Sequence, residues 1–297
     1  MSDAVLLMAH GTPDALDEMP EYLTRVRNGR PPSPDLVDEI TASYRAIGGR
    51  SPLTDLTRAQ ASALQARLGT EVRVLVGMRN WKPFISDVIR EASAGGVTRV
   101  VGIPLAPQFS TLSVQKYVEA ARAATPRGVS FACVGAFHDH PGLAEAFAGR
   151  IDECRDELAA GARVVFTAHS LPVRVVESGD PYAGQVAATA AAVAAKAGIC
   201  DYGLAWQSAG RTPEPWLGPD IGALIREEAA AGVRRFLVVP IGFVCDHTEV
   251  LFDLDIKAAQ AAREAGAAFR RTASLNTSPA FIRLLAELAS ALLAARD

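Results

Sequence analysis

The stretch VVFTAHSLP at residues 164–172 decides the fold, because an apolar run of strand length ends there in a histidine and a serine. A similar stretch, VLLMAHGTP at residues 5–13, ends its apolar run at His10. Continuous apolar runs of this length are typical of strands buried on both faces of a parallel sheet. Two of the five histidines thus follow equivalent strands in two similar halves of the chain. We interpret the halves as a duplicated α/β unit.

Outward from these stretches, short β-branched runs alternate with Ala-rich amphipathic segments, which predicts parallel sheets covered by helices. The predicted strands are 4–9, 72–77, 99–105, 130–135, 163–168, 202–206 and 235–241. The predicted helices are 15–28, 34–47, 54–68, 83–95, 112–124, 141–159, 182–198, 218–231, 247–265 and 278–295. The expected fold class is α/β, with two Rossmann-like domains that each contain a parallel sheet.

The expected domain boundary lies near DELAAGAR, which indicates a helix, a turn and the start of a strand. We expect a first domain at residues 1–158, a second at 159–277, and a C-terminal helix within 278–297 that packs on the first domain. Ser278 is the predicted N-cap of that helix, with a proline at its first position. Ligands of such folds bind beyond the carboxyl ends of the strands. Both strand-end histidines should therefore face one cleft between the domains.

Composition restricts the partners and the compartment. The chain has 297 residues and a net charge of −3, which argues against nucleic-acid binding. Its longest apolar stretch, FLVVPIGFVC at residues 236–245, is about half of what a bilayer-spanning helix needs. The N-terminus lacks the basic region of a signal peptide. We expect a cytoplasmic protein without an integral membrane segment.

The four cysteines indicate free thiols rather than a metal centre. Cys133, Cys154, Cys200 and Cys245 are widely spaced and form no CxxC pair. This spacing disfavours a zinc site or an iron–sulfur cluster and suits a reducing compartment. We expect no permanently bound cofactor.

The segment GFVCDHTEVLFDLDIKAAQAA at residues 242–262 has two interpretations. In the first, Asp246 caps a helix, Glu249 completes a capping box, and Asp253 one turn further lies on the same solvated face. In the second, the neutral imidazole of His169 and the Glu249 carboxylate form a borderline ligand pair for Fe²⁺ or Zn²⁺ in transit. Too few ligands are visible for a permanent site. A lone histidine after a strand is also commonly structural, so both interpretations stay open.

Other reaction classes lack their motifs. The sequence contains no GxSxG elbow, no GxxxxGK[ST] loop, and no GxGxxG after the first strand. AIGGRSPL at residues 46–53 has the glycines of a tight turn, whose backbone N–H groups could hold an anionic group.

Five long motifs resemble those of the ferrochelatase family, in the family's order. They are SYRAIGGRSPL, LAPQFSTLSVQKY, FTAHSLP with GDPYAGQ, WQSAGRTPEPWLGP and PIGFVCDHTEVLFDLD. The resemblance implies a lyase that inserts Fe²⁺ into a porphyrin in haem biosynthesis, with the active site between two Rossmann-like domains. It implies porphyrin and Fe²⁺ as substrates, and we expect a monomer.

The resemblance also implies roles for individual residues. His169 and Glu249 match the family's metal-binding catalytic pair, and Asp253 matches a second metal-binding acid. His10 stands where relatives often carry a tyrosine that reaches the iron of the product. The residues that match porphyrin contacts are His10, Arg27, Ser43, Tyr44, Ser51 and Tyr117.

The choice of porphyrin rests on the branch that the chain resembles. In its short length and in the motif WQSAGRTPEPWLGP, the chain most resembles the Gram-positive branch of the family, which uses coproporphyrin III. Four propionates need more donors than the two of protoporphyrin IX, and Arg25, Arg27, Arg30 and Arg45 could supply some. Lys257 stands where relatives often carry a further acid, which puts an outer metal relay in doubt. Three further functions stay open: a protoporphyrin IX ferrochelatase, a cobalt or nickel chelatase of another tetrapyrrole, and a non-catalytic haem or porphyrin carrier.

Overall fold

The computed structural model describes residues 2–295, and residues 1, 296 and 297 of the predicted domain ranges lie outside it. The chain divides into two compact units. Unit 1 comprises the residues up to Ala106, Thr111–Ala136 and the residues from Asn276 onward, and unit 2 comprises Pro107–Ser110 and Phe137–Leu275. Each unit carries its own sheet and helices.

Within residues 2–295 the strands are β1 Ser2–Ala9, β2 Val72–Met78, β3 Val97–Pro104, β4 Ser130–Cys133, β5 Arg163–His169, β6 Tyr202–Gln207, β7 Arg235–Val239 and β8 Ala268–Arg271. The helices of unit 1 are α1 Met19–Val26, α2 Pro34–Ala46, α3 Leu53–Leu68, α4 Ile85–Ala94, α5 Val114–Ala124 and α13 Pro279–Ala294, with a 3₁₀ turn at Leu16–Glu18. Those of unit 2 are α6 Pro141–Asp152, α7 Arg155–Ala159, α8 Val173–Glu177, α9 Tyr182–Ala197, α10 Ile221–Ala230, α11 Thr248–Leu251 and α12 Ala259–Glu264, with a π-helical segment at Asp253–Ala258.

The two sheets have the same topology. Unit 1 has the strand order β2-β1-β3-β4 and unit 2 has β6-β5-β7-β8, and every neighbouring pair is parallel. The first strand of each unit is therefore flanked on both sides. His10 follows β1 and His169 ends β5, so the two histidines occupy equivalent ends of equivalent strands. The predicted α/β class with two parallel sheets is confirmed.

Burial explains why the first strand of each unit is a continuous apolar run in the sequence. The side chains of Ala4–Met8 in β1 are fully buried, and Val164–Phe166 in β5 are nearly so. A strand in the middle of a sheet with helices on both faces has no solvent side, which removes the polar–apolar alternation of a half-exposed strand. Each fully buried Val, Leu or Met side chain of β1 contributes about 1.5–3 kcal/mol through removal from water.

The boundaries of the units differ from the predicted ones. Residues 137–158 were expected in the first domain, but α6 packs against α9 in unit 2. Helix α13 packs against α3 and β3 in unit 1, and the Arg99 guanidinium donates to its final carbonyls. The Ser278 hydroxyl caps α13 by accepting from the Phe281 backbone N–H at 3.4 Å.

Several local elements depart from the sequence prediction. The predicted helix 141–159 is divided into α6 and α7. The predicted single helix 247–265 is interrupted by the π-helical segment. Strand β8 and helix α8 were not predicted, because β8 has the sequence AFRR at a sheet edge and α8 spans only five residues. Of the helices described within residues 2–295, not one combines the length and the apolar character required to cross a membrane.

Candidate active site

The end of β5 and the loop after β7 bring His169 and Glu249 together. Gly242 in that loop donates its backbone N–H to the Thr167 carbonyl at 3.2 Å. A Cβ on Gly242 would lie 2.7 Å from the Ala168 Cβ, which is closer than two non-bonded carbon atoms can approach. Glycine is therefore required where the loop crosses β5, and the crossing places helix α11, with Glu249, beside His169.

The His169 Nε2 atom lies 3.7 Å from the Glu249 Oε1 atom. The side chains are 31 % and 39 % exposed, so both can be reached by a ligand. The His169 Nδ1 atom is hydrogen-bonded to the Ser170 carbonyl, which can only accept. In the neutral ring this places the proton on Nδ1 and leaves the Nε2 lone pair directed towards the carboxylate. Two acceptors that face each other form a site suited to a proton or a cation.

His247 approaches the same carboxylate from the other side. Its Nε2 atom lies 3.5 Å from Glu249 Oε2, and its Nδ1 atom is 3.1 Å from the Cys245 carbonyl. The ring also packs against Phe243, with 4.6 Å between the ring centroids. The sequence prediction did not assign His247 to the site, although its place in DHTE, two residues before the acid, was a usable signal.

Tyr182 is a second residue that the sequence prediction did not assign. It begins α9 and is nearly fully buried, with its hydroxyl hydrogen-bonded to the His169 backbone. Burial raises the pKa of the Tyr182 hydroxyl, and the negative charge of Glu249 raises it further. The hydroxyl therefore stays protonated and adds no charge beside the pair. The signal was GDPYAGQ, in which Asp180 accepts from the Tyr182 backbone N–H at 3.0 Å.

Asp253, the third predicted metal-binding residue, has other partners. Its carboxylate accepts from the Ser208 hydroxyl and lies 3.1 Å from the Lys257 Nζ atom. The Lys257 ammonium also lies 4.7 Å from the centroid of the Phe252 ring. Among residues 2–295, no group of three or more His, Cys, Asp or Glu residues is placed to hold a metal ion. A metal role for Asp253 stays a prediction.

Asp246 does not cap the helix that carries Glu249, contrary to the capping-box interpretation. The N-cap residue of α11 is His247, and no side-chain hydrogen bond caps this helix. The Asp246 carboxylate instead accepts from the Ser274 hydroxyl at 2.7 Å and lies 3.2 Å from the Arg271 guanidinium. The predicted capping box is therefore wrong. Arg271, which is distant in sequence, is a stronger partner for the Asp246 carboxylate than a local backbone N–H.

In unit 1, His10 is exposed beyond the end of β1 and lies beside an amide. The Asn80 Nδ2 atom lies 3.1 Å from His10 Nε2 and 3.3 Å from Nδ1. The Tyr22 ring meets the imidazole edge-on at 6.3 Å between centroids. Tyr22 also packs with Tyr44 in one apolar cluster, and the Tyr44 hydroxyl is 2.7 Å from that of Thr12. Two of the predicted porphyrin contacts, His10 and Tyr44, thus share the neighbourhood of Tyr22.

The remaining predicted contacts in unit 1 are dispersed. Arg27 is exposed immediately after α1. The Ser43 hydroxyl donates to the Glu39 carbonyl, and the Ser51 hydroxyl accepts from the Leu53 backbone N–H at 3.4 Å. Tyr117 is buried in a different apolar cluster, between α4, α5 and the sheet. These hydroxyl groups contribute to local packing, and their proposed contact with a porphyrin stays a prediction.

Comparison with known proteins places the chain in one family. The sequence model described as ferrochelatase matches residues 2–292. A ferrochelatase of Deinococcus radiodurans is 44 % identical over 96 % of this chain and 94 % of its own. A coproporphyrin III ferrochelatase of Geobacillus sp. (strain WCH70) is 40 % identical over 95 % of each chain.

Solved structures agree at the level of the fold. The sirohydrochlorin chelatase SirB of Bacillus subtilis subspecies spizizenii, in complex with cobalt, has a TM-score of 0.61 over 98 % of this chain and 96 % of its own. CbiX, described as the terminal enzyme of sirohaem biosynthesis in denitrifying bacteria, has a TM-score of 0.58 over 97 % and 98 %. Their identities of 14 % and 16 % indicate a shared chelatase fold and no more. With the family match over nearly all its length, this chain belongs to the ferrochelatase family, whose members are metal-chelating lyases.

Proposed function

We propose that the protein inserts Fe²⁺ into coproporphyrin III and that His169 and Glu249 carry the reaction. The observation that carries the proposal is the 3.7 Å approach of two acceptors in unit 2 of a ferrochelatase-family chain. The porphyrin is proposed from the relatives of 38–40 % identity in Geobacillus strains that are named coproporphyrin III ferrochelatase.

Metallation requires that two pyrrole nitrogens lose their protons, and the His169 Nε2 lone pair is the group that receives them in turn. The imidazolium formed is stabilised by the Glu249 carboxylate, because opposite charges at this separation favour the charged forms. The imidazolium then transfers this proton to Glu249, which frees His169 for the second pyrrole proton, and the protonated Glu249 carboxyl passes it towards His247, which lies 3.5 Å from its other oxygen. A general base of this kind accelerates a reaction by about 10²–10⁴-fold.

Fe²⁺ is handled as a substrate rather than as a resident cofactor. Imidazole nitrogen is a borderline ligand and carboxylate oxygen is a hard one, and both bind Fe²⁺ less tightly than thiolates do. A ligand pair with an open side lets the ion leave for the four nitrogens of the ring. The His169 Nε2 lone pair holds either the ion or a proton, so it accepts a pyrrole proton only when the ion is not bound to it. Asp253 is the proposed second acid, although its contact with Lys257 limits its availability.

The contacts with the porphyrin are assigned to residues of unit 1 that match the family motifs. His10 is proposed to reach the iron of the product, and Tyr44, Ser43, Ser51 and Tyr117 are proposed to line the ring site. Arg25, Arg27, Arg30 and Arg45 are all exposed, so their guanidinium groups are accessible to propionates.

We also propose a cytoplasmic monomer without a permanently bound cofactor. The four cysteines are unbridged, which suits a reducing compartment. Within residues 2–295, Leu112 is the only large hydrophobic side chain that is exposed, so the described surface offers little apolar area for self-association. Light scattering of the purified protein tests the monomer.

Anaerobic metallation assays test the proposed function. Fe²⁺ insertion is followed by absorbance with coproporphyrin III and with protoporphyrin IX at matched concentrations, and we expect kcat/KM to be higher for coproporphyrin III. A higher kcat/KM for protoporphyrin IX would assign that porphyrin instead.

The same assay distinguishes an iron chelatase from a chelatase of another metal and from a carrier. Insertion of Co²⁺ or Ni²⁺ into another tetrapyrrole, with Fe²⁺ inert, would identify a different chelatase. Tight porphyrin binding with no acceleration over the uncatalysed rate would identify a carrier. We expect neither result.

A further inference from the structure

Arg271 holds together the two ends of the segment that carries Glu249. It is the last residue of β8, and its side chain is 11 % exposed. Its Nε and Nη2 atoms donate to the two Asp255 carboxylate oxygens at 2.6 and 2.8 Å. Its Nη1 atom lies 3.2 Å from Asp246 Oδ1. One guanidinium thus binds a carboxylate before Glu249 and a carboxylate after it.

Two serine and threonine contacts complete this network. The Arg271 Nη1 atom donates to the Thr272 carbonyl at 2.9 Å and to the Ser274 hydroxyl at 3.3 Å. Ser274, fully buried, donates its own hydroxyl to Asp246. Burial alone would lower the pKa of Arg271, but Asp255 and Asp246 raise it above its usual value. The guanidinium is therefore a permanent positive charge in a mostly enclosed position.

The segment between the two carboxylates has little intrinsic rigidity. Helix α11 spans Thr248–Leu251, too short to be stable through its own hydrogen bonds. It has no side-chain cap, and the chain continues into a π-helical segment. The position of the Glu249 carboxylate must then be fixed by contacts outside the helix. The Gln207 side chain supplies one, donating to the Glu249 carbonyl at 2.8 Å.

We infer that Arg271 is a positioning residue for Glu249. By binding Asp246 and Asp255, Arg271 fixes helix α11 between them, so that the Glu249 carboxylate faces His169. This inference rests on the proposed function. Arg271 is attached to β8, which pairs with β7 in the sheet. Together with the Gln207 contact and the crossing at Gly242, the Arg271 side chain therefore links the sheet to the helix that carries the carboxylate. The planar fork matters, because an ammonium cannot bind Asp255 through two parallel hydrogen bonds.

The neighbouring Arg270 provides a matched control. Its guanidinium lies 2.9 Å from Asp156 and 3.6 Å from Glu157, both in α7, rather than near Glu249. Both arginines belong to the same edge strand and both make ion pairs. Replacing either one removes one positive charge from β8, so a difference between them reflects position rather than net charge.

The experiment compares the full-length variants Arg271→Ala, Arg271→Lys and Arg270→Ala in anaerobic metallation of porphyrin. We expect Arg271→Ala to lower kcat by roughly 10- to 100-fold, the range usual for residues that orient a functional ligand. Porphyrin affinity, measured by absorbance titration without metal, should stay close to the wild-type value, because Arg271 is not among the proposed porphyrin contacts. Arg271→Lys should recover a part of kcat, and Arg270→Ala should retain the wild-type value.

Asp255→Asn keeps the test decisive if Arg271→Ala does not fold. It removes the bidentate contact but leaves Asp246, and we expect a smaller loss of kcat with unchanged porphyrin affinity. Wild-type kcat in the Arg271 and Asp255 variants would overturn the inference, as would equal losses in the Arg270 and Arg271 variants. A wild-type protein that does not metallate porphyrin would instead refute the proposed function.

Discussion

The ends of β1 and β5 are the same place in two copies of one topology, yet they hold different chemistry. Beyond β1, His10 lies against the Asn80 amide and the Tyr22 ring, which are neutral groups. At the end of β5, His169 faces the carboxylate of Glu249, which His247 also approaches. A neutral neighbour leaves an imidazole able to bind one ligand, whereas a carboxylate neighbour stabilises the imidazolium. This difference is why we propose the residue beyond β1 for axial contact with the product and the residues at the end of β5 for proton and metal transfer.

The largest effect is expected at the end of β5, where His169 faces the Glu249 carboxylate. His169→Ala should lower kcat for Fe²⁺ insertion by at least about 100-fold, because it removes the proposed proton acceptor. Porphyrin affinity should stay within a few-fold, since the ring is assigned to contacts elsewhere. Steady-state anaerobic kinetics and a metal-free porphyrin titration measure the two quantities, and equal kcat values would refute the catalytic role of His169.

A somewhat smaller effect is expected from Glu249→Gln, which keeps the shape of the side chain and removes its charge. We expect kcat to fall by about 10-fold or more, because the imidazolium on His169 loses its counter-charge. Glu264→Gln is the control, since Glu264 pairs with Gln260 at the surface of α12. Equal activity of the two variants would show that the negative charge of Glu249 is not needed.

The sequence predicted the features of the two strand ends that depend on neighbouring residues. It did not predict those that depend on contacts between residues far apart in the chain. The two strand-end histidines were predictable, because burial of β1 and β5 on both faces produces a continuous apolar run. The pairing of Glu249 with His169 was one of two interpretations that the residues left open, and the family motifs favoured it. Nothing local encodes a loop that crosses a strand at Gly242. The contact of the Tyr182 hydroxyl with the His169 backbone was missed for the same reason.

The errors also have physical causes. Asp246 has the local pattern of an N-cap, but Arg271 is far along the chain and no local pattern reveals the ion pair. The π-helical segment looks like a regular amphipathic helix in sequence, because one extra residue in a turn leaves a weak periodic signal. Strand β8 is a short edge strand with two arginines, which suits an exposed edge but not a strand prediction.

Beyond β1, His10→Ala should leave kcat for metallation close to the wild-type value, because His10 is proposed to contact the iron of the product and not to accept the pyrrole protons. It should change the absorption spectrum of the bound haem product, since an axial imidazole sets the ligand field of the iron. A spectrum identical to that of the wild type would remove His10 as a ligand.

The smallest effect is expected from Asn80→Ala. The Asn80 amide restricts the orientation of the His10 ring through contacts at 3.1 and 3.3 Å. Its loss should broaden or shift the product spectrum less than His10→Ala does, with metallation kinetics unchanged. A slower metallation rate in this variant would mean that the β1 end takes part in the transfer itself.

A single-turnover experiment on the two histidines tests the central claim most directly. Porphyrin is bound to the wild type, to His169→Ala and to His10→Ala, and each complex is mixed anaerobically with excess Fe²⁺ in a stopped-flow absorbance instrument. The account predicts that the metallation phase is retained in His10→Ala and slowed by at least about 100-fold in His169→Ala. Slower metallation in His10→Ala than in His169→Ala would contradict it.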